Sequence, residues 1–210
     1  MVNIVLSLFI YIVLRKEKRM FTKEEQRYGR NKDTAIDHSY IASGEYRKKF
    51  DKISTDKSLN SLVYVLAKEM LYHRTGTRYE DMYWIDMASL KIVYKIVDSK
   101  VEEKILYTRR IRRIIRKKKG LLTIHSHPSS FPPSIEDFNS SCTNKYSLGI
   151  VCGHNGSLFI YSSNEKVPTE TYYYLAGKYY KECGDEYTAQ VLALTDLSKS
   201  YNIYFREVAV

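Results

Sequence analysis

Residues 121–137 read Leu-Leu-Thr-Ile-His-Ser-His-Pro-Ser-Ser-Phe-Pro-Pro-Ser-Ile-Glu-Asp. Gly120 stops the segment before it, and Leu121 to Ile124 form a short apolar strand that leads straight into His125. A Pro-rich loop follows, and a helix is expected to start near Ser134. Residues i and i+2 of a strand point to the same side, so His125 and His127 can grip one ion together. Asp137, in the first turn of the helix, can return a carboxylate oxygen to that ion. Two His and one Asp leave a fourth position open, the mark of a catalytic rather than a structural zinc site. Zinc so held lowers the pKa of water towards ~7 and polarises a carbonyl. A bare His-x-His reads more readily as an ordinary pair of histidines. Ser134 and Asp137 at this spacing turn the reading towards a metal.

Working outward, Asp56 or Ser58 caps a helix running to about His73, with Leu59, Leu62, Val63, Leu66 and Met70 at helical spacing. Gly76 ends it. Tyr79 to Asp86 and Leu90 to Val97 read as strands, and Lys104 to Thr108 as a third. Arg109 to Lys119 is a short basic helix with Ile111, Ile114 and Ile115 on one face. Ser147 to Cys152 and Ser157 to Tyr161 form a hairpin around His154-Asn155-Gly156. After Pro168 come helices Glu170 to Cys183 and Asp185 to Lys199, then a strand, Asn202 to Val208. The order predicts an α/β domain, a mixed β-sheet flanked by helices.

His-Ser-His-Pro followed by Ser-x-x-Asp resembles the signature of the JAMM (JAB/MPN-type) metalloproteases. The interval from His127 to Ser134 is one residue shorter than in the commonest form of the motif, and Pro132 and Pro133 are expected to fix the turn. The resemblance implies a JAB/MPN-like fold with cytidine-deaminase-like layering and Zn2+ held by His125, His127 and Asp137. It implies that Ser134 hydrogen-bonds the attacking water or the developing oxyanion. It also implies a glutamate general base just after the first helix, where this chain has Thr77-Arg78-Tyr79-Glu80-Asp81. Glu80 is the choice for that base. Asp81, on the opposite face of the strand, is its main rival, and Glu69 and Glu102 follow. Residues 40–161 also resemble the JAMM-type domain that ends some phage head-morphogenesis and related mobile-element proteins. Ser43-Gly44-Glu45-Tyr46-Arg47, His73-Arg74-Thr75-Gly76-Thr77 and Tyr79-Glu80-Asp81-Met82-Tyr83 carry that likeness.

The chain has 210 residues, 44% of them apolar, enough for a packed core and too many for wholesale disorder. A net charge of +10 raises nucleic acid, an anionic membrane or an acidic protein as partners without choosing among them. The Arg109–Lys119 helix reads as a solvated face or as a patch for nucleic acid or an acidic protein. It lacks interleaved aromatics. The tyrosines at 172–174 and 179–180 read as packing, with a substrate groove as the other reading. His38, His73 and His154 read as ordinary polar or turn residues. Three cysteines without a C-x-x-C pair fit a reducing, cytoplasmic setting.

Val2 to Leu14 is an apolar run followed by Arg15-Lys16-Glu17-Lys18-Arg19. At ~1.5 Å per residue it spans roughly 20 Å as a helix, short of a hydrocarbon core of about 30 Å. Membrane contact through residues 2–14, docking on a partner, and a start at Met20 are the three readings, the last favoured. The expected organisation is 1–19 as this segment, 20–55 as a polar lead-in arm, 56–165 as the metal hydrolase domain and 166–210 as a helical extension. The expected activity is hydrolysis of an amide bond in a protein or peptide by a metal-activated water. The alternatives are a non-catalytic phage-like assembly protein and a nucleic-acid-associated basic domain.

Overall fold

The computed structural model describes residues 31–210, so the apolar run at residues 2–14 lies outside the described residues. Six strands make one sheet: β1 (Met82–Asp86), β2 (Lys91–Ile96), β3 (Leu121–His127), β4 (Leu148–Gly153), β5 (Leu158–Ser163) and β6 (Ile203–Glu207). Their order is β2-β1-β3-β4-β5-β6. β3 and β4 are parallel and every other neighbouring pair is antiparallel. The fold is therefore α/β, a mixed sheet flanked by helices, as the order of elements predicts.

Helix α3 (Lys57–Arg74) covers one face of the sheet. Asp56 is its cap, its carboxylate accepting from the backbone N–H groups of Ser58 and Leu59. The stripe Leu59, Val63, Leu66 and Met70 is buried against Tyr83, Ile85, Leu122, Ile124 and Ile150. Chain reversal at Gly76, with φ +68°, ends the helix.

The described part of the polar lead-in, from residue 31 onward, is folded into short helices. Asp37 caps α1 (His38–Ile41) and Ser43 caps α2 (Gly44–Phe50). Tyr46 and Phe50 are buried in the core beneath α3 and meet edge to face at 5.2 Å. Helices this short complete too few turns to leave a periodic stripe, so their packing is invisible to sequence periodicity.

Lys104–Thr108 is not a strand. Residues 104–108 pair with no strand among the described residues; the nearest pairing is a single bridge, Tyr79 to Glu102, and Glu103, with φ +50°, turns the chain between that bridge and this segment. Ile105 and Tyr107 pack instead on a cluster with Trp84 and Ile111.

The second sheet face is covered in two parts. Near β1 and β2, Ile111 and Ile115 of α4 (Arg109–Arg116) pack on Met82, Trp84 and Leu121. Near β4 to β6, Phe138 of α5 (Ile135–Asn144) joins α6 (Thr169–Cys183) and α7 (Glu186–Ser200) on Val151, Phe159 and Tyr161. The Tyr161 ring lies directly over Gly149 of the neighbouring strand, where a Cβ would come within 2.1 Å of it. Among the described residues no helix is long and apolar enough to cross a membrane.

Candidate metal centre

Alternation along β3 turns Leu122, Ile124 and Ser126 into the core under α3 and Thr123, His125 and His127 to the second face. The two imidazoles thus emerge between the two covered halves of that face. Their Nε2 atoms lie 3.0 Å apart. Asp137 Oδ1 is 3.3 Å from His125 Nε2, and Asp137 Oδ2 is 3.6 Å from His127 Nε2.

The helix start fixes the carboxylate. Ser134 caps α5, and Asp137 at the third position closes a capping box. The Ser134 N–H and hydroxyl donate to Asp137 Oδ2 at 2.7 and 2.8 Å, while Asp137 N–H donates back to Ser134 Oγ. Asp137 is therefore held from behind. Burial opposes its charge, but the neighbouring His125 and His127 hold its carboxyl well below the usual range.

The Pro-rich loop orients His127. Phe131 carbonyl accepts from His127 Nδ1 at 3.0 Å. A carbonyl only accepts, so Nδ1 carries the hydrogen and Nε2 is the atom left to face His125. This is the support a metal-ligating histidine commonly receives. Burial disfavours a charge on His127, yet the Asp137 hydrogen bond and the fields of Glu80 and Asp137 lift its pKa to about 9. His125 Nδ1, by contrast, is buried with no partner among the described residues.

Two nitrogens and a carboxylate this close to one another can share a single cation. A tetrahedral ion with bonds of about 2.0–2.1 Å sets its ligand atoms about 3.3 Å apart. The three separations, 3.0, 3.3 and 3.6 Å, bracket that value. The His125, His127 and Asp137 group can hold a metal ion.

Glu80 and Asp81 part company. Asp81 points away from this centre, its Oδ1 accepting from Arg74 Nε at 2.5 Å and its Oδ2 from His73 Nδ1 at 2.6 Å. Glu80 lines the cleft that holds His125, His127 and Asp137. The residue is buried. Burial pushes its pKa up to about 8, with Asp137 adding to the effect and His127 opposing it. Ser126, between the two histidines, pins the segment: its N–H donates to Asp81 O, and its Oγ accepts from Asp81 N–H. Glu69 is engaged under the opposite sheet face, accepting from the Tyr83 hydroxyl, and Glu102 is exposed at its bridge.

The chain matches no protein-family model, no curated protein and no solved structure. Geometry alone therefore carries the reading of this centre.

Sequence reasoning missed four contributors. Phe131 acts through its backbone, which leaves no side-chain signal. His73 and Arg74 work only because the helix end meets the strand start. His154 sits in the expected turn but is buried, its Nδ1 donating to Thr34 O at 2.5 Å and tying the lead-in to the hairpin.

Burial lowers the His154 pKa to about 4. An unfolded histidine takes up a proton near pH 6.5, whereas this one stays neutral in the fold until about pH 4. Stability is therefore expected to fall by about 3 kcal/mol as pH drops through that window, and to be unaffected above it. Urea unfolding at a series of pH values checks this. His154→Gln should be less stable at neutral pH and lose that share of the acid slope, and an unchanged slope would refute the assignment.

Proposed function

We propose that the chain is a zinc-dependent hydrolase of the JAMM metalloprotease type that cleaves an amide bond in a protein or peptide. The observation that carries this reading is the ligand triangle of His125, His127 and Asp137, with edges of 3.0 to 3.6 Å, beside Glu80, a buried residue that lines the same cleft. Oxygen and nitrogen donors at these distances suit zinc, and three protein ligands leave a coordination position open. Bound there, zinc supplies Lewis acidity, acidifying a water and polarising the scissile carbonyl.

The chain's own residues do the rest. Glu80 accepts a proton from the attacking water and returns it to the departing amine. Asp81 cannot share that work, because both its oxygens are committed to Arg74 and His73. Ser134 serves first as the support of Asp137, since its hydroxyl hydrogen lies on Oδ2. The oxyanion role that the resemblance implies requires that hydroxyl to turn away from Asp137. A cytoplasmic setting belongs to the proposal and is supported by Cys142, Cys152 and Cys183, all free thiols.

The test is cleavage of a peptide library by purified full-length protein. Loss of activity with a chelator and recovery with zinc are expected. Intact peptides at every metal load would leave a non-catalytic binding protein as the better reading.

A further inference from the structure

The metal centre sits in a large trough between the two covered halves of the second sheet face, about 1860 Å³ in volume. Its two walls differ in charge. On one side Arg112 and Arg116, about one turn apart on α4, are exposed and line the trough, and Lys118 and Lys119 extend the row towards β3. Residues 109–120 contain no carboxylate to offset them. Lys118 reaches Asp86 at 3.4 Å, while Arg116 and Lys119 form no ion pair among the described residues. Arg110 and Arg113, on the same helix and equally exposed, do not line the trough.

On the other side, α6 presents Tyr173, Tyr174 and Tyr180 with Lys178 and Lys181 among them. The trough's carboxylates lie off α4: Glu80 and Asp137 belong to the metal centre, Glu136 approaches the Tyr173 hydroxyl at 3.5 Å, Glu182 and Glu186 lie at the junction of α6 and α7, and Glu103 pairs with Arg78.

We propose that the trough binds an extended, acid-rich peptide segment whose carboxylates lie along Arg112, Arg116 and Lys119. This names the substrate class of the amide hydrolysis argued above and rests on that reading. Guanidinium groups receive carboxylates in paired hydrogen bonds, and two of them a turn apart on one face suit successive acids of an extended chain. The tyrosine wall offers hydroxyls and ring faces to the peptide's other side. A nucleic acid is the lesser fit, because the hydrolysis argued above needs an amide bond at the metal centre, which a polynucleotide backbone does not offer.

The test is fluorescence anisotropy on the full-length, zinc-loaded protein. The probe is a labelled peptide alternating Asp and Glu with Gly and Ser, compared with a Lys-for-acid version. Two double variants change net charge equally: Arg112→Glu with Arg116→Glu, and Arg110→Glu with Arg113→Glu. The first pair is expected to weaken acidic-peptide binding at least about tenfold and the second less than about twofold. The neutral pair Arg112→Gln with Arg116→Gln should move in the same direction and guards against a folding defect in the reversal variant. Equal losses in both reversal pairs would reduce the effect to the overall field and overturn the proposal. Tighter binding of a single-stranded oligonucleotide of equal charge, through the same arginines, would overturn it in favour of nucleic acid. Binding is read apart from cleavage. The expected pattern without chelator-sensitive hydrolysis would sink only the hydrolase reading, and zinc-dependent hydrolysis indifferent to peptide charge would sink only this one.

Discussion

Glu80→Gln is expected to retain metal and to lose hydrolysis by about 10²–10⁴-fold, the usual contribution of a general base. The substitution preserves volume and removes only the capacity to take a proton. The side chain is buried in the floor of the cleft and is not a member of the ligand triangle, so zinc content should equal that of the wild type. Activity assays beside elemental analysis of the same preparation decide it. Near-wild-type turnover would move the base to another group. Loss of zinc would make Glu80 part of the binding site rather than of the proton relay.

Asp81→Ala should act quite differently, through the fold. Arg74 is nearly buried, and Asp81 is the carboxylate it meets, at 2.5 Å. Removing that carboxylate leaves an uncompensated guanidinium in the interior, a change that typically costs about 3–5 kcal/mol. Denaturant unfolding should show a midpoint far below that of the wild type, with the slope little changed. A stability within about 1 kcal/mol of wild type would mean that water, not Asp81, satisfies Arg74. The pair of variants separates adjacent carboxyls that sequence alone leaves as rivals. One should fail in chemistry and the other in folding.

The contrast shows how far the sequence was legible. Strand period two places Glu80 and Asp81 on opposite faces but does not say which face holds His125 and His127. That depends on Arg74 at the end of α3 drawing Asp81 to the other side, a contact no periodicity records. The β3–loop–α5 unit was readable because each signal is local: an apolar strand, prolines, a Ser cap and an Asp three residues on. α3, the Asn155-Gly156 hairpin and the helices after Pro168 were readable for the same reason. The segment at residues 31–50 was not, because its helices are short and its buried tyrosine and phenylalanine follow no stripe. Lys104–Thr108 misled through its apolar content, which serves side-chain packing on Trp84 rather than strand pairing. The facing of α4 and α6 across one trough is a product of tertiary arrangement. It gives the basic run of α4 a position that composition could not supply.

The Ser134–Asp137 capping box joins fold and site most closely. One set of hydrogen bonds both starts α5 and aims the carboxylate at the histidines. A local rule of helix initiation thereby becomes a rule of ligand geometry.

The most direct test is the zinc content of purified full-length protein, wild type beside His127→Ala. About one zinc per chain in the wild type, and almost none in the variant at equal foldedness, is the expected result. Equal zinc in both proteins, or none in a folded wild type supplied with the metal, would contradict the assignment of His125, His127 and Asp137 as a metal centre.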